Sequence, residues 1–200
     1  MAPHDDAILD VFRRAGALLE GHFLLSSGRH SPTYLQCALV LQDPRTAEDL
    51  CSRLAGAFAD EPIDTVLAPA IGGIVVAHEV ARALGARALF AERQDDRMTL
   101  RRGFALRPGE RVLLVEDVVT TGGSLREIQG LARDAGAEVV AVATLVDRTG
   151  GRDPGFGMPL TALVTVDAPN YPPEDCPECR KGLPVVKPGS RKQPGAQTRT

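Results

Sequence analysis

The chain has 200 residues, of which 44% are hydrophobic and 24% charged, and its formal net charge is −3. These values are typical of a soluble globular domain with a substantial core, and they give no global basic field, so we expect no nucleic-acid partner. No apolar run approaches the roughly 20 residues that span a bilayer, and no secretory leader follows Met1, so we expect a cytoplasmic protein with no membrane partner.

Apolar spacing and turn residues predict the elements of the N-terminal quarter. In chain order these are a helix over residues 5–20, short extended segments at 23–25 and 34–37 around a turn-rich stretch at 26–32, and a helix over 46–59.

Strands and helices then alternate along the chain. The pattern predicts strands at 65–68, 87–91, 111–115, 138–146 and 160–166, and helices at 74–84 and 124–135. This alternation indicates an α/β fold, with a parallel central sheet flanked by helices. Ligands bind beyond the carboxyl ends of such strands. We therefore expect two glycine-bearing strand exits, at 69–73 and 116–124, to line one site.

The run from residue 112 to residue 124 carries most of the functional information. Four apolar residues lead to two adjacent acids, Glu116 and Asp117, and then to a turn of hydroxyl and glycine residues before a helix that Ser124 is expected to cap. Backbone amides at such a helix start bind phosphate, and the carboxylates suit sugar hydroxyls. The run matches neither the Walker A pattern nor the dinucleotide fingerprint. It predicts a phosphosugar site.

The segment from 171 to 200 differs in composition, being rich in proline and in basic residues. We expect about its last ten residues to be disordered. It contains Cys176 and Cys179 at the C-x-x-C spacing of half a zinc knuckle or of a redox pair. The histidines lie far away in sequence, so the simplest interpretation is two free thiols in a turn. A metal site completed by a second subunit stays open.

The run at 112–124 closely resembles the phosphoribosyl-pyrophosphate (PRPP) motif of type I phosphoribosyltransferases. Residues 21–34 resemble the N-terminal hood segment of the orotate phosphoribosyltransferases, and residues 68–74 resemble their pyrophosphate loop. Residues 98–104 and 171–179 resemble a shorter subgroup of that family. The resemblance implies a type I phosphoribosyltransferase fold over residues 1–170, with a small hood at about 1–40, followed by the tail at 171–200.

The family joins orotate to the ribose of PRPP, giving orotidine 5'-monophosphate and pyrophosphate in pyrimidine synthesis. By resemblance, Glu116 and Asp117 would hold the ribose hydroxyls, and Thr120 and Arg148 would contact orotate. The 5'-phosphate would lie against Val118, Val119, Thr120, Thr121, Gly122, Gly123 and Ser124. Mg²⁺ would arrive with PRPP, without an assigned protein ligand.

The resemblance also implies residues for the pyrophosphate and for the hood, and a homodimer. These residues are Ile71 and Gly72 at the pyrophosphate, and Ser26 and Tyr34 in the hood. Lysines found in other members are replaced here by Ser26 and Gly72.

One departure from the family lies at residues 92–102, where many members carry a mobile catalytic loop with lysine and histidine. This chain has arginines instead: Arg93, Arg97, Arg101 and Arg102. They could bind pyrophosphate, or they could belong to a solvated, salt-bridged loop. Two further alternatives stay open, a transferase for another base and a regulator that senses PRPP without catalysis.

Overall fold

The computed structural model describes residues 3–25 and 27–188. The predicted disordered end at the last ten or so residues lies outside the described residues. The chain divides into two compact units. The larger comprises the described residues up to Ala17 and Gln36–Asp167, and the smaller comprises Leu18–Leu35 and the described residues from Ala168 onward.

The helices and strands alternate through most of the chain. In order they are α1 (Pro3–Arg14), β1 (Leu18–Leu24), β2 (His30–Leu35), α2 (Cys37–Leu41), α3 (Pro44–Gly56), β3 (Thr65–Pro69), α4 (Gly73–Leu84), β4 (Arg87–Gln94), β5 (Arg97–Leu100), β6 (Arg111–Val119), α5 (Gly123–Asp134), β7 (Glu138–Asp147), β8 (Leu160–Thr165), a 3₁₀ turn (Pro173–Asp175) and α6 (Pro177–Arg180). None of these described helices is long and apolar enough to cross a membrane.

The larger unit is built on a six-stranded sheet in the order β5-β4-β3-β6-β7-β8. Strands β4, β3, β6, β7 and β8 are parallel, and β5 pairs antiparallel with β4 at one edge. The predicted parallel sheet with flanking helices is therefore confirmed, and the antiparallel edge strand is an addition to it. β6 lies inside the sheet, between β3 and β7.

The core lies on both faces of β6, which explains why that strand is a continuous apolar run. Val112 and Leu114 belong to a buried cluster that includes Leu125 and Ile128 of α5. Side chains alternate along a strand, so the residues between them point to the opposite face. There α4 begins so close that a Cβ on Gly73 would lie 3.6 Å from the Val115 carbonyl oxygen.

The predicted N-terminal helix over 5–20 is too long. Helix α1 ends at Arg14, and Leu18 and Leu19 belong to β1, where they pair with Leu35 and Tyr34 of β2. These two leucines fit the helical spacing of the preceding turns, but they pair across the hairpin instead. The second predicted extended segment, at 34–37, is also misplaced, because β2 spans 30–35 and residue 37 opens α2.

The region at 92–102 is largely a β-hairpin, which the sequence did not predict. β4 continues to Gln94, and Arg93 pairs with Met98 of β5. The turn between the strands consists of Asp95 and Asp96, with φ angles of 48° and 62°. Aspartate tolerates the left-handed region better than most residues, and positive φ at both central positions suits the right-handed twist of a hairpin.

The smaller unit joins the β1–β2 hairpin to the C-terminal segment. The backbones of His30 and Tyr171 exchange two hydrogen bonds of 2.8 Å each. On the other strand, Leu24 donates to the Val186 carbonyl and Val186 donates to the His22 carbonyl, again at 2.8 Å. The C-terminal segment is therefore hydrogen bonded to both strands of the hairpin.

Candidate functional site

Strand β6 carries two acids near its carboxyl end, one directed to each face of the sheet. Glu116 lies on the same face of the strand as Val112 and Leu114. It accepts a hydrogen bond from the side chain of Ser124 at the start of α5. Asp117 lies on the opposite face, against Gly72, the residue before α4. Because strand side chains alternate, adjacent acids serve two helix starts at once.

Burial makes both acids harder to ionise. It raises the pKa of Glu116 to about 8, with a further contribution from the neighbouring Asp117 charge, while the Ser124 hydrogen bond acts in the opposite direction. Burial also raises the pKa of Asp117, opposed by hydrogen bonds from the backbone amides of Val118 and of Asp117 itself. A ligand that offers hydroxyl donors or positive charge would favour the ionised forms.

Gly72 and Asp117 bring the two glycine-bearing strand ends together. A Cβ on Gly72 would stand 2.6 and 2.7 Å from the two carboxylate oxygens of Asp117, closer than real Cβ contacts. The neighbouring Ala70–Ile71 peptide is cis, and the Ile71 side chain is 85% exposed. The exits of β3 and β6 therefore form one continuous surface, as the sequence predicted.

The turn between β6 and α5 depends on Gly122. This residue caps the helix with a φ of 73°, in the left-handed region where a side chain is strained. A Cβ here would also lie 2.8 Å from Phe156 Cζ and 2.9 Å from Pro154 Cβ. The prediction that Ser124 is the N-cap is wrong, since the helix begins one residue before it and its side chain bonds Glu116.

Thr120 and Thr121 of this turn are exposed, so their hydroxyls are accessible to a ligand. The turn is braced from behind by Arg126, which donates to the Thr121 carbonyl at 2.7 Å and to the Pro154 carbonyl. The first backbone amides of α5 have no partner within the helix and face the same turn. The exposed hydroxyls, the start of α5 and the Arg126 contact therefore all lie at this one turn.

Arg148 directly follows β7 and is only 9% exposed. Its backbone amide donates to the Val119 carbonyl at 2.8 Å, which fixes it beside the end of β6. Burial raises the pKa of the nearby Cys37 thiol, the Asp117 charge raises it further, and the Arg148 charge lowers it. The charges of Asp117 and Arg148 therefore both act on this one buried thiol.

The carboxylate of Asp147 accepts a hydrogen bond from the backbone amide of Thr149 at 2.7 Å.

Two of the four arginines near the hairpin hold carboxylates. Arg93 contacts Glu127 at 2.7 Å, and Arg102 binds Glu92 through two hydrogen bonds of 2.8 and 2.9 Å. Arg102 also lies 5.9 Å from the centre of the Phe90 ring. These contacts support the salt-bridged interpretation for that pair.

The other two arginines, Arg97 and Arg101, are exposed, and within residues 3–25 and 27–188 their side chains form no ion pair.

The structure describes one of the two residues that the family resemblance assigns to the hood. Tyr34 lies on β2 of the smaller unit, where its ring centre is 5.7 Å from that of Phe23. Ser26 lies outside the described residues.

Sequence reasoning missed Arg126, Pro154 and Phe156, which shape the turn from behind. No local pattern identifies them, because their role depends on the tertiary approach of the 154–156 segment to α5.

Comparison with known proteins decides the family. The model of the phosphoribosyl transferase domain matches residues 41–155. Orotate phosphoribosyltransferases of Pelotomaculum thermopropionicum and Caldicellulosiruptor bescii are 56% and 55% identical, each alignment covering 94% of this chain and 98% of the relative. The chain belongs to the orotate phosphoribosyltransferase family.

A solved structure supports the family assignment at the level of the fold. The crystal structure of orotate phosphoribosyltransferase from Aeropyrum pernix has a TM-score of 0.65 and 29% identity, covering 80% of this chain and 93% of that one. In this family member, the turn braced by Arg126 and the Asp117–Gly72 contact both lie within the matched phosphoribosyl transferase domain.

Proposed function

We propose that the chain transfers the 5-phosphoribosyl group of PRPP to orotate, giving orotidine 5'-monophosphate and pyrophosphate in pyrimidine biosynthesis. One observation carries this proposal. Two part-buried acids, Glu116 and Asp117, stand next to an anion-binding turn at 120–124, in a chain of the orotate phosphoribosyltransferase family. Sugar hydroxyls and a phosphate are the groups that this pairing accepts.

Glu116 and Asp117 would accept hydrogen bonds from the 2'- and 3'-hydroxyls of the ribose. Their ionised forms would stabilise the electron-poor ring as the bond to pyrophosphate lengthens. The raised pKa of Glu116 indicates that its charge is poorly solvated in the free protein. Binding of hydroxyl donors would therefore replace solvation that the fold has removed.

The 5'-phosphate would lie in the turn of Val118, Val119, Thr120, Thr121, Gly122, Gly123 and Ser124. Support comes from the backbone amides at the start of α5 and from the exposed hydroxyls of Thr120 and Thr121. Gly122 takes the left-handed conformation that begins this helix, and Arg126 holds the turn through the Thr121 carbonyl.

Orotate is an anion, and Arg148 is the cation that would face its carboxylate. A planar guanidinium pairs with a carboxylate through two parallel hydrogen bonds. Its backbone bond to Val119 and its burial limit the positions that it can occupy. Thr120, on the same turn, would contact the pyrimidine edge.

The departing pyrophosphate would lie against Ile71 and Gly72. The Asp117 carboxylate, which lies against Gly72, offers oxygen donors of the kind that Mg²⁺ prefers. Bound with PRPP, Mg²⁺ would supply positive charge to the leaving group. Arg97 and Arg101, which hold no carboxylate among the described residues, would add to that charge from a partner subunit of a homodimer.

The test is product formation from PRPP and Mg²⁺ with orotate, adenine, hypoxanthine or uracil as the acceptor. We expect turnover with orotate alone. Asp117→Asn should lower kcat/KM for PRPP at least about tenfold, and Arg148→Lys should raise KM for orotate more than for PRPP. The exposed Asp134 provides the control variant Asp134→Asn, which should behave as wild type.

Turnover with a purine alone would overturn the assignment to orotate while leaving the PRPP site intact. PRPP binding without any turnover would instead favour a regulatory binding protein.

A further inference from the structure

Two histidines and two cysteines of the smaller unit converge on one point, although they are distant in sequence. His22 Nε2, His30 Nδ1, Cys176 Sγ and Cys179 Sγ all lie within 4.8 Å of one another. His22, His30 and Cys176 are buried, and Cys179 is exposed. We propose that these four side chains form a mononuclear zinc site that joins the hairpin to the C-terminal segment.

The hairpin brings the two histidines together. His30 of β2 is paired with Leu24 of β1, and His22 lies in the irregular stretch of β1 between Glu20 and Phe23. Direct contact between the side chains shows that they meet, since His22 Nε2 lies 2.8 Å from His30 Nδ1. Their rings lie 4.7 Å apart between centres.

The cysteines reach the same point from the other end of the chain. Cys176 is the N-cap of the short helix α6 and Cys179 lies in its first turn, and the C-x-x-C spacing places both sulfurs on one side. The backbone of this segment is hydrogen bonded to the hairpin on both sides of α6, at Tyr171 and at Val186. Two ligands thus come from each segment of the unit.

The nitrogen–sulfur separations fit a single tetrahedral ion, whereas the two nitrogens lie closer together, at hydrogen-bonding distance. With Zn–N near 2.0–2.1 Å and Zn–S near 2.3 Å, tetrahedral ligands should lie about 3.3 Å apart for two nitrogens and about 3.6 Å for nitrogen and sulfur. The nitrogens of His22 and His30 are 2.8 Å apart. The Cys179 sulfur lies 3.3 Å from His30 Nδ1 and 3.6 Å from His22 Nε2, and the Cys176 sulfur lies 3.5 Å from His22 Nε2.

A second contact prepares His22 for a metal. Its Nδ1 lies 2.8 Å from the Leu183 carbonyl oxygen, which has no proton to give, so Nδ1 carries the hydrogen and donates it. In the neutral ring this leaves Nε2 with its lone pair directed at the other three groups. Metal-bound histidines generally donate their second ring hydrogen in this way. The carbonyl thus fixes both the tautomer and the ring orientation.

The donor set and its arrangement favour zinc over an iron–sulfur cluster. Two thiolates and two imidazoles in tetrahedral geometry are typical of zinc. A two-iron centre with the same residues would hold the histidines on one iron and the cysteines on the other. Here the Cys179 sulfur approaches both histidine nitrogens, so the donors surround one position.

The site would compensate for a small apolar core. Among the described residues of the smaller unit, the buried hydrophobic side chains are Phe23, Leu35, Ala168 and Cys176. Units of this size commonly rely on a metal or disulfides for stability. A zinc ion would connect the two chain segments where apolar packing is sparse.

Metal analysis of the full-length protein tests the proposal. We expect about one equivalent of zinc per chain after purification without added metal. Cys176→Ser and His30→Ala should each lose most of it. The matched controls are Cys51→Ala, a buried thiol of the larger unit, and His78→Ala, an exposed histidine of α4, and both should retain wild-type zinc content.

A second measurement uses wild-type protein alone, so it does not depend on whether the variants fold. Stripped protein titrated with Co²⁺ should saturate at about one equivalent and show tetrahedral d–d bands with thiolate charge transfer. Its melting temperature should fall on removal of metal and recover with Zn²⁺. A metal-free wild type that binds no Co²⁺, or one in which Cys176 and Cys179 form a disulfide, overturns the proposal.

Discussion

The carboxylate oxygens of Asp117 lie 2.6 and 2.7 Å from the position that a Cβ on Gly72 would occupy. This contact joins the end of β6 to the start of α4, and it leaves no space there for a side chain of any kind. The Asp117 carboxylate can therefore keep this position only because residue 72 has no side chain.

Gly72→Ala should displace the Asp117 carboxylate with little effect on folding, because the φ and ψ of Gly72 are −57° and −40°, which alanine adopts readily. We expect kcat/KM for PRPP to fall at least about tenfold, or about 1.4 kcal/mol. The control is Gly130→Ala in α5, where a Cβ meets nothing within 4 Å. Full activity in Gly72→Ala would show that the position of Asp117 is unimportant.

Gly122→Ala should destabilise the protein more than Gly109→Ala. The φ angles of Gly122 and Gly109 are 73° and 75°, so both variants incur backbone strain of about 1–2 kcal/mol. Only Gly122 would also press its Cβ against Phe156 and Pro154, which should add about 1–3 kcal/mol. Urea denaturation measures the difference, and equal losses would contradict the packing argument.

Glu116 should make stability depend on pH. Because burial raises the pKa of Glu116 from 4.5 to about 8, the folded protein keeps a proton that the unfolded chain releases. The stabilisation from this retained proton is fully present below pH 4.5 and is lost as the pH rises from there to about 8. The free energy of unfolding should fall by up to about 1.4 kcal/mol per pH unit within that window.

Glu116→Gln should remove this dependence, as urea denaturation from about pH 5 to about pH 8.5 can measure. Glu127→Gln is the matched control, since the hydrogen bond from Arg93 lowers the pKa of Glu127 and places its titration below the window. If wild type and Glu116→Gln show the same slope, Glu116 is ionised throughout the range.

The arginines near the hairpin should separate into two classes. Because Arg97 and Arg101 would place positive charge at the pyrophosphate, at least one of Arg97→Ala and Arg101→Ala should lower kcat at least about tenfold. The KM for orotate should change little. Arg93→Ala and Arg102→Ala should chiefly affect stability, because these side chains hold Glu127 and Glu92. Steady-state kinetics on the four variants decides, and full activity in both Arg97→Ala and Arg101→Ala removes the hairpin from the mechanism.

The sequence allowed the sheet and the phosphosugar motif to be predicted because both depend on local pattern. A buried parallel strand is a continuous apolar run, and the acids and glycines of 116–124 follow it directly. The meeting of Gly72 with Asp117 followed from one rule, that parallel strands end at the same edge.

The failures arose where tertiary pairing overrides local spacing. Leu18 and Leu19 continue the helical pattern of α1 but pair in β1, and Asp95–Asp96 close a hairpin that resembled a loop. The convergence of His22 with His30 required the strand register, which linear spacing does not reveal.

The smaller unit joins residues made early to residues made late. The β1–β2 hairpin leaves the ribosome long before Tyr171 and Val186, the residues whose backbones complete its hydrogen bonding. During synthesis the hairpin must therefore wait, with its partner groups exposed to water, until the whole sheet of the larger unit has been made. A released chain that ended just after β8 would have every strand of that sheet but would lack the hydrogen bonds from Tyr171 and Val186 to the hairpin.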